Sequence, residues 1–313
     1  MLDSYSLTGA ESGSSVYVFA DERKIESFDS DWLYFGILFL SGRGARDWFE
    51  SAESIFERHH LEKPLHLTDV KKENSDRFRL SKELLEYVCA SVMEPQPPLR
   101  IMVLGIELRR LDRSAFGIDS NDAGIPHARA YTRFFRSAFR SAIGLWWPNR
   151  NLQVERIYHD SNGHLQADPW FDTNVNRRVT ETDGIEFRTD QIDFVSSDHR
   201  KESVLRRRRA SRMIQIVDLI LGTTTDIFHV GDKRLGRARA KLSDIAFPVV
   251  HQSETSGTWT DKNRCGFSYS HFPVSGTVDV SNGTSFRNSE FYQRSTVLFR
   301  ERSSGQQDLF STE

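Results

Sequence analysis

Strand-sized apolar runs alternate with stretches of helical spacing between residues 16 and 222. That alternation confines the chain to an α/β domain, with a mixed sheet covered by helices on both faces. The first two runs, Val16–Ala20 and Leu33–Leu40, are β-prone and joined by a polar link that suits a hairpin. A helix is expected over Ala45–His60, where Trp48, Ala52, Ile55 and Phe56 share one side. Leu65–Leu67 reads as a short strand, and Phe78–Val92 as a helix stopped by the proline-rich Glu94–Pro98. Leu99–Leu108 is the next strand, followed by a polar loop over Arg109–Ile125. Pro126–Leu145 starts on a proline and places Phe135, Ala138, Phe139 and Ala142 at helical spacing. Gln153–His159 and Ile185–Val195 are further strands, and Ser203–Leu221 is a helix closed by Gly222.

The expected organisation is a loose N-terminus over residues 1–15, one α/β domain over 16–250, and a polar extension over 251–313. In the extension Ser, Thr, Gly and Asn dominate, with alternating aromatics such as Phe267, Tyr269 and Phe272. That pattern leaves a small β appendage or a partly disordered tail. No apolar run approaches the roughly 20 residues of a membrane span, so no membrane role is expected. Met1–Ser15 lacks a basic stretch followed by an apolar one, so the expected compartment is cytoplasmic. The two cysteines, Cys89 and Cys265, have neither metal-ligand spacing nor the makings of a disulfide framework.

The chemistry is carried by three aspartates. Asp21 and Asp160 each follow an apolar strand, and open α/β sheets place their ligands at the carboxyl ends of strands. Asp218 lies inside Met213–Leu221, which is otherwise almost wholly apolar. Desolvating a carboxylate costs several kcal/mol. Asp218 therefore needs an arginine, a set of hydrogen-bond donors, a proton or a divalent cation. Two strand-end carboxylates meeting one on a helix would repel each other unless a cation neutralised them, and an oxygen-only set suits Mg²⁺ or Mn²⁺. Ions held this way promote phosphodiester hydrolysis. Glu22 contributes only if the chain turns there, because a continuing strand sends it to the other face. Gln215 is three residues before Asp218 and shares its helix face. The bland alternative is that Asp21 and Asp160 merely start loops.

These residues also carry a resemblance. Val18-Phe19-Ala20-Asp21-Glu22 resembles the opening Asp-Glu-Ser-Gly motif of the domain-of-unknown-function 3800 proteins. Ile157–Asp160 resembles their central strand and aspartate, and Met213–Gly222 resembles their Leu-Gln-x-Ala-Asp-Leu-x-x-Gly helix. The order and spacing fit over residues 16–225. The resemblance implies an RNase H-like core with a metal-binding acidic site, hence a nuclease. It carries Asp21, Asp160 and Asp218 onto the acidic positions, with Glu22 and Gln215 flanking them. Arg23-Lys24 replaces the usual Ser-Gly, and Val217 replaces Ala. The basic pair beside the site has two readings, a phosphate contact or a site that has lost its chemistry.

Net charge is −2, which excludes a globally basic coat, yet about 33 of the 42 basic residues are Arg. Arg129, Arg133, Arg136 and Arg140 form one stripe of the Pro126–Leu145 helix and are candidates to track a phosphate backbone. Arg206, Arg207, Arg208 and Arg209 open the Asp218 helix, where cations oppose the dipole; they reach an anion or pair with Asp198 and Glu202. Lys233, Arg234, Arg237, Arg239 and Lys241 form a third cluster, read equally as a flexible basic loop. His66 is a candidate to approach the acids, against the commoner role of a satisfied structural histidine.

Two functions follow as expectations. One is a metal-dependent nuclease acting on RNA or DNA. The other is a non-catalytic RNase H-like module that binds nucleic acid or protein, including a place in a defence or toxin system where the extension docks a protein partner.

Overall fold

In the computed structural model the chain is described over residues 14–26, 31–41, 44–61, 63–110, 124–147, 152–161, 185–189, 191–229, 235–255 and 265–272. The expected hairpin is formed by β1 (Ser14–Glu26) and β2 (Asp31–Ser41), antiparallel, with Asp21 opposite Gly36. β2 continues antiparallel into β3 (Leu99–Glu107), while β1 runs parallel to β4 (Leu152–Asp160) on its other side. β5 (Ile185–Phe187) and β6 (Asp193–Val195) both pair with β4, and β7 (Phe267–Phe272) pairs parallel with β3. The order is β5-β4-β1-β2-β3-β7, with β6 also on β4. The sheet is thus mixed and mostly parallel in its pairings.

Among the described residues five helices cover it: α1 (Ala45–His59), α2 (Asp76–Val92), α3 (Gly124–Trp146), α4 (Leu205–Phe228) and α5 (Arg237–Thr255). β2 shows why both faces need cover. Phe35, Ile37 and Phe39 pack toward Phe135, Phe139 and Trp146 of α3; Trp32, Tyr34, Leu38 and Leu40 join the core built with α1, α2, α4 and α5. A strand buried on both faces reads as a continuous apolar run, which is how Leu33–Leu40 reads.

Several boundaries move. Leu67–Asp69 is a 3₁₀ turn and not a strand. Ile185–Val195 divides into β5 and β6. β1 continues through Asp21-Glu22 to Glu26, because β2 pairs with it along that whole length. α4 runs through Gly222 to Phe228. Gly222 is a packing position and not a stop: a Cβ there would lie 2.3 Å from Leu67 Cδ2 and 2.4 Å from Arg23 Nη1. α5 carries the cluster from Arg237 onward on a helix that includes Pro248. β7, within the expected extension, is an edge strand of the main sheet. The Arg109–Ile125 loop and the extension beyond 272 lie largely outside the described residues. Among the described residues no helix is long and apolar enough to cross a membrane.

Candidate acidic site

The β1–β4 register places two of the three aspartates. Its last pair is Ala20 with His159, so Asp21 and Asp160 come next on adjacent parallel strands. Side chains alternate along a strand. Asp21 therefore shares a face with Phe19, and Asp160 with Tyr158, and those two rings stack at 5.3 Å on the α4 side of the sheet. α4 brings the third. Gly36 lies opposite Asp21, and a Cβ there would meet Val217 Cγ1 at 3.1 Å and Leu221 Cβ at 3.3 Å. The helix thus crosses the sheet beside Asp21, with Asp218 on the segment that crosses. Met213, Ile214, Ile216, Leu219 and Leu221 are almost fully buried, each contributing roughly 1.5–3 kcal/mol. Together they outweigh the several kcal/mol that placing a carboxylate here costs.

Asp21 is buried, at 8% exposure, and makes no ion pair within 4 Å among the described residues. Its Oδ1 accepts from the Glu22 backbone N–H at 2.8 Å. Burial first, then the charges of Asp218, Asp160 and Glu22, push its carboxyl well above the usual carboxylate range. Asp160 is raised in the same direction by burial, against backbone N–H donors at Ser161 and Ser197; the Ser197 N–H reaches Oδ1 at 2.9 Å. Asp218 keeps 23% of its side chain exposed, with His66 Nδ1 at 3.6 Å from Oδ2. The Leu67 N–H donates to the same oxygen at 3.3 Å. Asp218 holds the His66 imidazole above its ordinary value against the opposing effect of burial. Of the compensations expected for Asp218, the structure supplies one hydrogen-bond donor, the Leu67 N–H, and His66 approaches it as well.

Gln215 connects the two supports. Its Oε1 accepts from the Leu65 N–H at 2.9 Å and its Nε2 donates to Ser197 O at 2.7 Å. It ties together the two segments whose backbone donors reach Asp218 and Asp160. Glu22 sits on the opposite face because the strand continues. There Tyr131 Oη donates to Glu22 Oε2 at 2.9 Å and lies 2.6 Å from His159 Nε2.

An arginine clasp does form nearby, on Asp226 rather than Asp218. Arg239 grips Asp226 through Nε at 2.9 Å and through Nη2, and Arg23 Nη2 stands 3.6 Å away. Asp226 went unnoticed in the sequence; its only signal is that Asp218, Gly222 and Asp226 recur every four residues on one helix face.

The other expected contacts are distributed as follows. Arg207 pairs with Glu202 at 2.7 Å and Arg209 lies 3.8 Å from Glu53, whereas Arg206 and Arg208 are exposed. Asp198 pairs with Arg200 and not with the opening arginines. Arg133, Arg136 and Arg140 are half-buried and engaged with partners, so they do not form an open stripe. The Arg129 side chain lies outside the described residues. Among the described residues, no three His, Cys, Asp or Glu side chains are grouped so as to hold a metal ion.

Comparison with family models, curated proteins and solved structures gives no match to this chain.

Proposed function

We propose that the Asp21–Asp160–Asp218 face is the active site of a nuclease that hydrolyses phosphodiester bonds of RNA or DNA with Mg²⁺ or Mn²⁺, on an RNase H-like sheet. The observation that carries this reading is Asp21. It is a buried carboxyl without an ion pair among the described residues, made hard to ionise first by burial and then by the carboxylates around it. A divalent cation removes that penalty, and three carboxylates are the donor chemistry Mg²⁺ and Mn²⁺ prefer. Mg²⁺ commonly takes only one or two protein carboxylates, with water and substrate phosphate completing its shell. That arrangement does not require three side chains to close on one point. When bound, the metal would supply charge neutralisation at the phosphate and a more acidic water. The protein's own part is to hold Asp160 through Ser197, to hold Asp218 through Leu67, and to fix both supports through Gln215.

The test joins calorimetric Mn²⁺ titration with cleavage of labelled RNA and DNA. Wild type is expected to bind Mn²⁺ and cut, and Asp218→Asn to lose cleavage by about 100-fold or more. Equal behaviour of the two on every substrate defeats the reading. A second reading, a binding module without chemistry, draws on Arg23, which stands where the resembled family has a small residue and is tied to Asp226. Oligonucleotide binding with no detectable Mn²⁺ binding would select it.

A further inference from the structure

The acidic face repels the substrate it is proposed to cut, so a nucleic-acid strand has to be gripped by cations elsewhere. Of the arginines of α3 and α4, Arg133, Arg136 and Arg140 are engaged and Arg207 and Arg209 face glutamates, which leaves the exposed Arg206 and Arg208. A different surface has cations to spare. Between the end of α1 and the start of α2 lies a cleft of about 550 Å³. Its charged lining includes Lys63, Lys71, Lys72 and Arg77 against Asp69 and Asp76. Both acids are already answered: Asp69 by Arg77 at 3.8 Å, Asp76 by Arg79 on the same helix. Glu73, next to Lys72 in the chain, is taken by Arg237 and Lys241 of α5. Lys63, Lys71 and Lys72 are exposed and make no ion pair within 4 Å among the described residues. The start of α2, capped by Ser75, faces the same space and adds the positive end of its dipole.

The cleft adjoins the acidic site through a single short segment. His66 and Leu67 contact Asp218, while Asp69, at the end of the same 3₁₀ turn, lines the cleft. We propose that this cleft holds the phosphodiester backbone of a nucleic-acid strand whose next phosphates lie over Asp21, Asp160 and Asp218. Its purpose rests on the nuclease reading above; its test needs neither metal nor cleavage.

The experiment measures anisotropy of fluorescein-labelled 20-nucleotide RNA and DNA, single-stranded and duplex, with EDTA present, across a salt series. It compares wild type with the triple variant Lys63→Gln, Lys71→Gln, Lys72→Gln. Each lost phosphate contact lowers the slope of log K against log salt by about 0.9 on duplex DNA and about 0.7 on single strands. The triple variant is expected to lose about 2–3 in slope and about tenfold or more in affinity at low salt. Mn²⁺ binding and the unfolding midpoint are expected to stay unchanged. Lys82→Gln, whose lysine pairs with Glu86 at 2.7 Å outside the cleft, is expected to match wild type. The proposal is overturned if the triple variant binds with wild-type slope and affinity, or if wild type binds no oligonucleotide at low salt. A slope change of about 1 with inorganic phosphate competing as well as oligonucleotide also overturns it, because that is a single-anion pocket. Loss of cleavage in Asp218→Asn alongside unaltered binding by the triple variant would sink the cleft and leave the nuclease standing.

Discussion

Asp21 is the residue on which the site turns, and its energetics run opposite to those of an ordinary surface aspartate. Its folded-state pKa is raised by burial and by three neighbouring carboxylates, while an unfolded aspartate titrates near about 3.9. The native state therefore binds its proton more tightly. The stability this contributes is complete below the unfolded pKa and is lost as pH rises through the folded one. Denaturant melts of wild type against Asp21→Asn, from pH 4 to pH 8, should show a decline with pH that the variant lacks, leaving the variant the more stable at pH 8. Mn²⁺ at 100 times its dissociation constant should restore about 2.7 kcal/mol to wild type and nothing to the variant. Parallel pH profiles for the two proteins would remove the basis for a cation here. The three aspartates were legible in the sequence because each stands where an apolar run makes a charge costly. Arg23 and Asp226 were not. Their clasp is completed by Arg239 on another helix, and no local pattern signals a contact between residues so far apart in the chain.

At the level of elements, strand identity was legible and strand partnership was not. Apolar runs announced β1, β2, β3 and β4, but the β1 reading stopped at Ala20. Asp-Glu-Arg-Lys looks like a turn until β2 supplies eleven paired positions opposite it. The alternating aromatics Phe267, Tyr269 and Phe272 offered a small β appendage as one reading, but the place of β7 in the main sheet depends on its pairing with β3. Gly105 is the hinge of that pairing. It lies between Tyr34 on β2 and His271 on β7, and a Cβ there would meet Tyr34 Cε1 at 2.4 Å and His271 Cδ2 at 2.6 Å. Both rings belong to a buried group with Phe228, so neither can swing into water. Gly105→Ala should cost about 1–3 kcal/mol in urea unfolding, the range of an overpacked core. Wild-type stability in that variant would show that β7 does not pack as described.

The whole molecule divides its labour between the two faces of one strand. On the α4 face β1 carries Phe19, Asp21 and Arg23; on the α3 face it carries Val18, Ala20 and Glu22, and Glu22 answers to Tyr131 and His159. The general plan, one sheet with helices on both faces, was readable from alternation. Which carboxylates belong together was readable only once the strand was known to continue, since a one-residue step changes the face. This division makes the faces experimentally separable. Tyr131→Phe removes the hydroxyl that donates to Glu22 and contacts His159, both in a poorly hydrated layer. The loss should be about 1–2 kcal/mol of stability, the cost of a buried hydrogen bond to a charged acceptor. Mn²⁺ affinity at the α4 face should fall by far less than in Asp218→Asn, because the Glu22 carboxylate reaches Asp21 only as the smallest of three neighbouring charges. If Tyr131→Phe instead weakened Mn²⁺ binding as strongly as Asp218→Asn, Glu22 would act as a full member of the acidic site and not as a distant charge on Asp21.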